Sequence, residues 1–247
     1  MKGLVIAAGS GTRLRAVSES KPLAPVAGVP LIERAIASAA AAGIRDFVVV
    51  TGHRAERVEA FLGTLPAKLG VSVGWVRVEN WQQANGHSVI AGAGAVGGDF
   101  LLMMADHLFD PGIARRLLAL ATPAAVTLAV DRDVDGALID LADATKVELA
   151  PDGAIVRIGK MLARFDAIDT GLFRATPALA DAIRADIAAG GEGSLSAGVQ
   201  RLAGQGRAAT IEVDGARWID VDDPRALALA EKMLADGAAV GVRGNAA

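Results

Sequence analysis

Two glycines and two cations stand close together near the start of the chain. The glycines are Gly9 and Gly11, and they follow a short apolar run. The cations are Arg13, directly after Thr12, and Lys21. Glycines let backbone N–H groups approach an anion closely, and two cations would neutralise a polyphosphate. The pattern therefore predicts a phosphate-binding loop in an enzyme that handles nucleotides. The alternative is a plain strand-to-helix turn, which would not need the two cations.

Three aspartates further along the chain could hold a divalent cation. Asp106 follows a run of apolar residues, so it is expected at the carboxyl end of a buried strand, where open α/β sheets bind ligands. A carboxylate there suits Mg²⁺. Asp220 and Asp222 flank one residue, and alternation along a strand would point both to one face. The alternative role is helix capping, which Asp110 and Asp223 can fill instead.

The second half of the chain carries weaker signals. Lys146 and Lys160 lie in a region of short predicted strands and could contact a second phosphate, although isolated lysines are more often solvated. Asp169 and Thr170 end a predicted strand in the same region. The segment 85–88, Asn-Gly-His-Ser, could contact a base edge or simply form a turn. The histidines form neither a metal triad nor a nucleophile–base pair that the sequence reveals.

Two common nucleotide-binding motifs are excluded. The loop lacks the third glycine of the dinucleotide fingerprint, and Thr51 ends the second predicted strand where that fingerprint requires an acidic residue. The Gly-Lys-Ser/Thr sequence of a P-loop is also missing after Gly11.

Composition narrows the class of protein. The chain has 247 residues, of which 52% are hydrophobic, so it is long and apolar enough to form a folded core. A net charge of −3 without a basic block argues against nucleic acid as a partner. The absence of cysteine excludes disulfides and thiolate metal sites and fits a cytoplasmic protein. No apolar run is long enough for a membrane span. No sequence pattern indicates an oligomeric state.

Strand-like and helix-like segments alternate along the first half, which predicts a parallel sheet with helices on both faces. The predicted strands are 2–8, 46–51, 71–78 and 99–105, and the predicted helices are 31–42, 54–62, 88–95 and 111–121. The second half is richer in short strands. Its predicted strands are 126–130, 146–149, 155–158, 167–173, 210–213 and 218–221, and its predicted helices are 178–189, 195–203 and 224–234. We expect one domain over 1–236 and a disordered tail over 237–247.

With these pieces in place, the chain resembles the sugar-phosphate nucleotidyltransferase family. The segment 7–14, Ala-Ala-Gly-Ser-Gly-Thr-Arg-Leu, and the segment 21–23, Lys-Pro-Leu, match its most specific motif. Later segments, from Asn-Gly-His-Ser at 85–88 to Trp-Ile-Asp-Val-Asp at 218–222, are most similar to inositol-1-phosphate cytidylyltransferases. The resemblance implies an α/β fold: a Rossmann-like doubly wound, mixed and mostly parallel sheet with a small β-rich lid that binds the acceptor.

The resemblance also implies an activity. CMP would pass from CTP to a small phosphorylated alcohol, with inositol 1-phosphate as the expected acceptor, Mg²⁺ as cofactor and pyrophosphate as product. Phosphocholine, an aminoalkylphosphonate, molybdopterin, a sugar 1-phosphate with another nucleotide, and a nucleotide-binding regulator without turnover stay open. Members are often fused to a membrane-embedded partner, whereas this sequence stops at Ala247 without a span, which keeps the other acceptors open. The lack of tyrosine argues weakly against a quaternary ammonium.

Site residues follow from the resemblance position by position. Arg13 and Gly11 would hold the β- and γ-phosphates, and Lys21 would contact the α-phosphate and the incoming phosphate. The remaining nucleotide contacts would be Ala7, Ala8, Gly9, Thr12, Gln82, Gln83 and Gly86. The metal ligands would be Asp106, Asp220 and Asp222, and the acceptor contacts would be Lys146, Lys160, Asp169 and Thr170. Arg13, Lys21 and Asp106 would carry the catalysis.

Overall fold

The computed structural model describes residues 1–236, so the predicted disordered tail, 237–247, lies outside the described residues. The strands are β1 (Lys2–Ala7), β2 (Pro25–Val26), β3 (Val29–Pro30), β4 (Asp46–Thr51), β5 (Ser72–Arg77), β6 (Phe100–Met104), β7 (His107–Phe109), β8 (Val126–Asp131), β9 (Lys146–Leu149), β10 (Ile155–Gly159), β11 (Ala167–Ala175), β12 (Ala208–Glu212) and β13 (Trp218–Asp220). The helices are α1 (Leu31–Ala41), α2 (Ala55–Leu62), α3 (Leu65–Leu69), α4 (Asn85–Val96), α5 (Pro111–Ala119), α6 (Ala178–Ala188), α7 (Leu195–Ala203) and α8 (Pro224–Ala235). Short 3₁₀ turns cover Thr12–Leu14 and Lys21–Leu23.

A nine-stranded mixed sheet forms the centre of the molecule. Strands β6, β1, β4 and β5 lie side by side and run parallel. Their apolar runs fit this arrangement, because parallel strands between two helical layers are buried on both faces. The carboxyl ends of β1 and β6 are neighbours, since Ile6 pairs with Met104. The glycine loop and Asp106 therefore leave the sheet at the same edge, as the sequence predicts.

Strand β11 joins this parallel half to the β-rich half. Its last residues pair antiparallel with β6, and its first residues pair antiparallel with β9. The register against β8 shifts between Asp169 and Phe173, and Gly171 within that shift has φ +76°. Following the pairings across this nine-stranded sheet, all of its strands except β10 and β11 run in one direction. The sheet is thus mostly parallel, and its β-rich part is an extension of the same sheet through β9 and β10.

Helices cover both faces of the sheet, which confirms the doubly wound α/β class. One buried apolar cluster packs α4, α6 and α7 against the sheet. A second cluster packs α1, α2, α3 and α5 against the opposite face. A third and smaller cluster contains Leu14, Leu108 and Ile219, and it packs α8 against β13 and the turn after the glycine loop. This third cluster fixes the part of the molecule where the predicted acids and cations meet.

The predicted longer elements are present, with ends that differ by up to about three residues. Asp223 caps α8 through the N–H of Ala226, and Pro224 is the first residue of that helix, as expected. The short elements β2, β3, β7 and α3 were not predicted. Strand β7 matters most, because it pairs antiparallel with β13 and places His107 opposite Asp220. Within residues 1–236, no helix combines the length and the apolar character that crossing a bilayer requires.

Candidate active site

The glycine loop folds directly over the side chain of Lys21. Gly11 has the left-handed conformation, with φ +53° and ψ +52°. A Cβ atom at Gly11 would lie 2.2 Å from the Cβ of Lys21, so glycine is required both for the backbone angle and for the close approach. The backbone of the loop and the Lys21 side chain therefore form one unit.

Lys21 is buried and surrounded by carboxylates. Its Nζ lies 2.5 Å from Asp106 Oδ2 and 3.7 Å from Asp220 Oδ1, and it also contacts Asp222. Only 7% of the Lys21 side chain is exposed. Asp106 follows β6, and the other two acids lie at the end of β13 and just beyond it. A buried ammonium is tolerated because these acids compensate its charge.

Asp106, His107 and Asp220 form a group that could bind a metal. One potential ligand atom from each residue lies within 4.8 Å of the others. His107 Nδ1 is 2.9 Å from Asp106 Oδ1 and 3.7 Å from Asp220 Oδ1. The buried Oδ1 of Asp220 accepts no hydrogen bond from any described residue, so a cation there would satisfy it. A pair of carboxylates with an unsatisfied oxygen fits a divalent cation.

This group differs in one member from the predicted metal set. His107 takes part because the pairing of β7 with β13 places it opposite Asp220, and no local sequence pattern indicates this position. Asp222 instead contacts the two cations: its Oδ1 touches Lys21, and its Oδ2 lies 2.5 Å from Arg13 NH2. In this structure Asp222 therefore connects the two proposed phosphate-binding side chains.

The two half-buried carboxylates, Asp106 and Asp220, have opposite pKa shifts. Burial raises the pKa of Asp106, but the charge of Lys21 and the hydrogen bond from His107 outweigh it, and the pKa falls well below its usual range. Burial raises the pKa of Asp220, and the neighbouring Asp106 charge adds to this rise despite the opposing effect of His107. Asp220 would therefore gain most from an added positive charge.

Asp143 is a site residue that the sequence did not reveal. Its Oδ1 lies 2.5 Å from Lys160 Nζ, and its Oδ2 contacts Arg13 NH2. Hydrogen bonds from Lys160 and Arg13 lower the pKa of Asp143 to about 2. It lies in the connection between β8 and β9, where no periodic pattern or motif distinguishes it from nearby aspartates.

A cavity of about 250 Å³ adjoins the acidic group. Asp106 and Asp220 line one side of it, and Lys160, Asp169 and Gly171 line another. Asp169 Oδ1 accepts a hydrogen bond of 2.7 Å from the N–H of Gly171. Burial raises the pKa of Asp169 to about 6. The cavity thus places polar groups beside the acids and Lys160 at its wall.

Two predicted acceptor contacts have other roles in this structure. Thr170 is fully buried, and its hydroxyl donates to the carbonyl oxygen of Ala129 at 2.8 Å. It is directed into the sheet, whereas its neighbours Asp169 and Gly171 line the cavity. Lys146 Nζ donates to the carbonyl oxygen of Lys160 at 2.9 Å and lies 5.6 Å from the ring centre of Phe165. Lys146 supports the backbone at Lys160, and the expectation that Thr170 faces the acceptor is wrong in this structure.

The expected base-binding segment lies beside the end of β1. A Cβ at Gly52 would lie 2.6 Å from Trp81 Cβ and 2.9 Å from the carbonyl oxygen of Ala8. Gly52 therefore lies close to both Trp81 and the end of β1, and Gln82 and Gln83, which follow Trp81, are exposed. The Ala8 carbonyl also accepts from the N–H of His53 at 2.9 Å.

The other residues expected to contact the nucleotide are divided between the core and the surface. The side chains of Ala7 and Ala8 lie in the core, so their backbone is what can face a ligand. Gly9 and Thr12 are exposed. Gly86 is buried, and a Cβ there would lie 2.2 Å from the carbonyl oxygen of Gly193, so close helix packing alone requires this glycine.

The glycine loop and the acidic group thus lie together at the carboxyl edge of a mostly parallel α/β sheet. The chain belongs to the family of the MobA-like NTP transferase domain, whose model matches residues 3–150.

The chain is similar to several known proteins along most of its length. It is 36% identical over 240 residues to the bifunctional IPC transferase and DIPP synthase of Rubrobacter xylanophilus, covering 96% of this chain and 52% of that protein. It is 30% identical over 241 residues to the CMP-5'-(3-aminopropyl)phosphonate synthase of Streptomyces rubellomurinus, covering 91% and 37%. The chain thus spans about half, or less, of the length of these relatives.

A solved structure shares the fold. The inositol-1-phosphate CTP transferase from T. maritima superposes with a TM-score of 0.84 at 24% identity, and the match covers 98% of each chain.

Proposed function

We propose that this chain transfers CMP from CTP to a small phosphorylated alcohol, with inositol 1-phosphate as the preferred acceptor, and releases pyrophosphate. The observation that carries the proposal is the position of Lys21 between the glycine loop and the acids Asp106 and Asp220. The similarity to the Rubrobacter IPC transferase supports the choice of nucleotide and acceptor.

The nucleotide would be held by the glycine loop. Backbone N–H groups around Gly11 and Thr12 and the side chains of Arg13 and Lys21 would contact the triphosphate. An oxygen of the acceptor phosphate would attack the α-phosphorus of CTP, and the bond to pyrophosphate would break. The attacking oxygen is already ionised at neutral pH, so no general base is needed. The chain's task is to align two polyanions and compensate their charge.

Mg²⁺ is the cation that the acidic group would hold. Asp106 and Asp220 would be its protein ligands, because they offer close carboxylates and one unsatisfied oxygen. When bound, Mg²⁺ supplies positive charge to the phosphate oxygens and orients them. His107 Nδ1 would orient Asp106 through their hydrogen bond. Asp222 would position the ends of Lys21 and Arg13.

The acceptor would occupy the neighbouring cavity. Lys160 would contact its phosphate, and Asp169, Asn85 and Ser196 offer polar groups along the wall for hydroxyls. The Oδ1 of Asn85 already accepts from the N–H of Leu195, which fixes the orientation of its amide. This polar wall favours a hydroxylated acceptor.

A second candidate acceptor is an aminoalkylphosphonate. The name of the Streptomyces relative specifies a product that joins CMP to an aminopropylphosphonate. The carboxylates of Asp140, Asp143 and Asp169 also line the cavity and could pair with an ammonium group. The transfer chemistry would be the same.

The test is a substrate panel with the purified chain and Mg²⁺. Each of the four ribonucleoside triphosphates is combined with inositol 1-phosphate, phosphocholine, 3-aminopropylphosphonate or glucose 1-phosphate, and pyrophosphate release is followed. We expect the highest kcat/KM with CTP and inositol 1-phosphate. The highest value with 3-aminopropylphosphonate would select the second candidate. Nucleotide binding without pyrophosphate release for any pair would contradict both and favour a regulator.

A further inference from the structure

One carboxylate connects the two substrate regions. The two oxygens of Asp143 contact different cations: Oδ2 contacts Arg13, and Oδ1 lies 2.5 Å from Lys160. Under the proposed function, Arg13 belongs to the triphosphate and Lys160 to the acceptor phosphate. The carboxylate of Asp143 therefore pairs with one cation from each of the two sites.

Asp143 is the acid that holds Lys160 in place. Among residues 1–236, Lys160 forms its ion pair with Asp143, whereas Arg13 also contacts Asp222. The side chains of Asp143 and Lys160 are 28% and 57% exposed, and both residues line the cavity. An acceptor phosphate that approached Lys160 would compete with this carboxylate for the ammonium group and would meet its negative charge.

We propose that Asp143 is a positioning residue that couples the binding of the two substrates. Before CTP binds, the Asp143 carboxylate stays paired with Lys160. When the triphosphate of CTP pairs with Arg13, Asp143 is released and Lys160 can bind the acceptor phosphate. This inference rests on the proposed function. It predicts that CTP and the acceptor bind with positive cooperativity.

The coupling has an electrostatic cause. A triphosphate at Arg13 competes with Asp143 for the guanidinium and adds negative charge close to its carboxylate. Like charges at a few ångströms in a partly buried site repel strongly. Asp143 then loses one of its two attachments, so its carboxylate is held near Lys160 at a lower effective concentration and competes less with the acceptor phosphate. The acceptor phosphate replaces it at Lys160, next to the α-phosphorus.

A purely structural role for Asp143 predicts the opposite sign. If Asp143 only ties its loop to Arg13 and Lys160, removing its charge would loosen the cavity wall and weaken binding of both substrates. If it competes with phosphate, removing its charge would strengthen the binding of each substrate alone. The conservative variant Asp143→Asn distinguishes the two roles, because asparagine has nearly the same shape without the charge.

The experiment is a pair of calorimetric titrations of inositol 1-phosphate into the chain. One is done without nucleotide, and the other with Mg²⁺ and saturating CMPCPP, a CTP analogue whose methylene bridge prevents pyrophosphate release. In the unmodified chain we expect the analogue to tighten acceptor binding at least about fivefold, the lower end of usual coupling between sites. In Asp143→Asn we expect tighter binding without nucleotide and almost no further effect of the analogue.

Two further variants sharpen the result. Glu148→Gln removes the charge of a carboxylate paired with Arg157 on neighbouring strands, away from the cavity lining, and should keep the coupling of the unmodified chain. Asp143→Glu keeps the charge and should keep most of the coupling.

Equal acceptor affinity with and without the analogue in the unmodified chain would overturn the inference, and this result needs no variant to fold. Weaker acceptor binding in Asp143→Asn, or coupling equal to that of the unmodified chain, would also overturn it. These outcomes are distinct from failure of the proposed function, which would appear as no pyrophosphate release by the unmodified chain with CTP and inositol 1-phosphate.

Discussion

Lys21 and Lys160 are both proposed to bind phosphate, yet their surroundings differ. The Lys21 side chain is 7% exposed, lies under Gly11 and is surrounded by three acids. The Lys160 side chain is 57% exposed and pairs with Asp143 from a connecting segment. The nucleotide side of the site, represented by Lys21, is therefore fixed into the core. The acceptor side, represented by Lys160, is adjustable because its side chain is exposed and can rearrange. This contrast suggests that the first sets the rate of chemistry and the second sets acceptor affinity.

The largest effect is expected at the fixed side. Lys21→Ala should lower kcat at least about 100-fold, because preorganised charge in a buried site is worth that much or more. Steady-state pyrophosphate release measures it, with circular dichroism to show that the variant folds. Lys232→Ala, an exposed lysine on α8, is the matched control. A kcat within threefold of the unmodified chain would remove Lys21 from the chemistry.

Metal affinity should depend on the acids around Lys21. Asp220→Asn should weaken binding of Mn²⁺, a paramagnetic substitute for Mg²⁺, by more than about tenfold, because a carboxylate ligand is lost. Electron paramagnetic resonance of the free ion measures this without turnover. Asp214→Asn changes an exposed acid paired with Arg116 and should leave the affinity unchanged. Equal affinities for both variants would place the metal elsewhere.

Substitution on the acceptor side should change KM more than kcat. Lys160→Ala should raise the KM for inositol 1-phosphate about tenfold, the loss of one charge-assisted phosphate contact, with a much smaller change in kcat. Initial rates at saturating CTP separate the two constants. Arg157→Ala, on β10 three residues before Lys160 and outside the cavity lining, serves as the control. A fall in kcat as large as that of Lys21→Ala would mean that the two lysines act as one unit.

The smallest effect is on stability. The pKa of Asp169 is raised to about 6 in the folded chain, compared with about 4 in the unfolded chain. The free energy of unfolding therefore falls as the pH rises from about 4 to about 6, and it stays lowered at higher pH. Asp169→Asn keeps an oxygen for the Gly171 N–H and removes this charge. Its Tm should exceed that of the unmodified chain by a few °C at pH 7.5 and by little at pH 4, as 1 kcal/mol is about 2–4 °C at this size. Thermal melts at both pH values measure it, and a lower Tm at pH 7.5 would contradict the assignment. Acceptor binding should weaken in the same variant.

The sequence was informative wherever local patterns decide structure. Apolar runs fixed the parallel strands, and the position of Asp106 after such a run correctly predicted that it shares the sheet edge with Gly11 and Lys21. The alternation of Asp220 and Asp222 predicted that both side chains would point to one face, and both lie within 4 Å of the Lys21 Nζ.

What the sequence could not predict depends on long-range pairing. Strand β7 has only three residues and pairs with β13 more than 100 positions away, so nothing local marked His107 as a member of the acidic group. Asp143 lies in a connection with several aspartates, and contacts with Arg13 and Lys160 alone distinguish it. Thr170 is a different case, because neighbouring residues of one strand point to opposite faces: Asp169 and Gly171 line the cavity, and the side chain of Thr170 is buried on the other side.

The most direct test of the central claim is a crystal structure of the chain soaked with CTP and Mg²⁺. We expect the triphosphate between Gly11, Arg13 and Lys21, with the cation on Asp106 and Asp220 and the cavity beside Lys160 still open. A nucleotide bound at another surface, with Lys21 still enclosed by its three acids, would contradict the account.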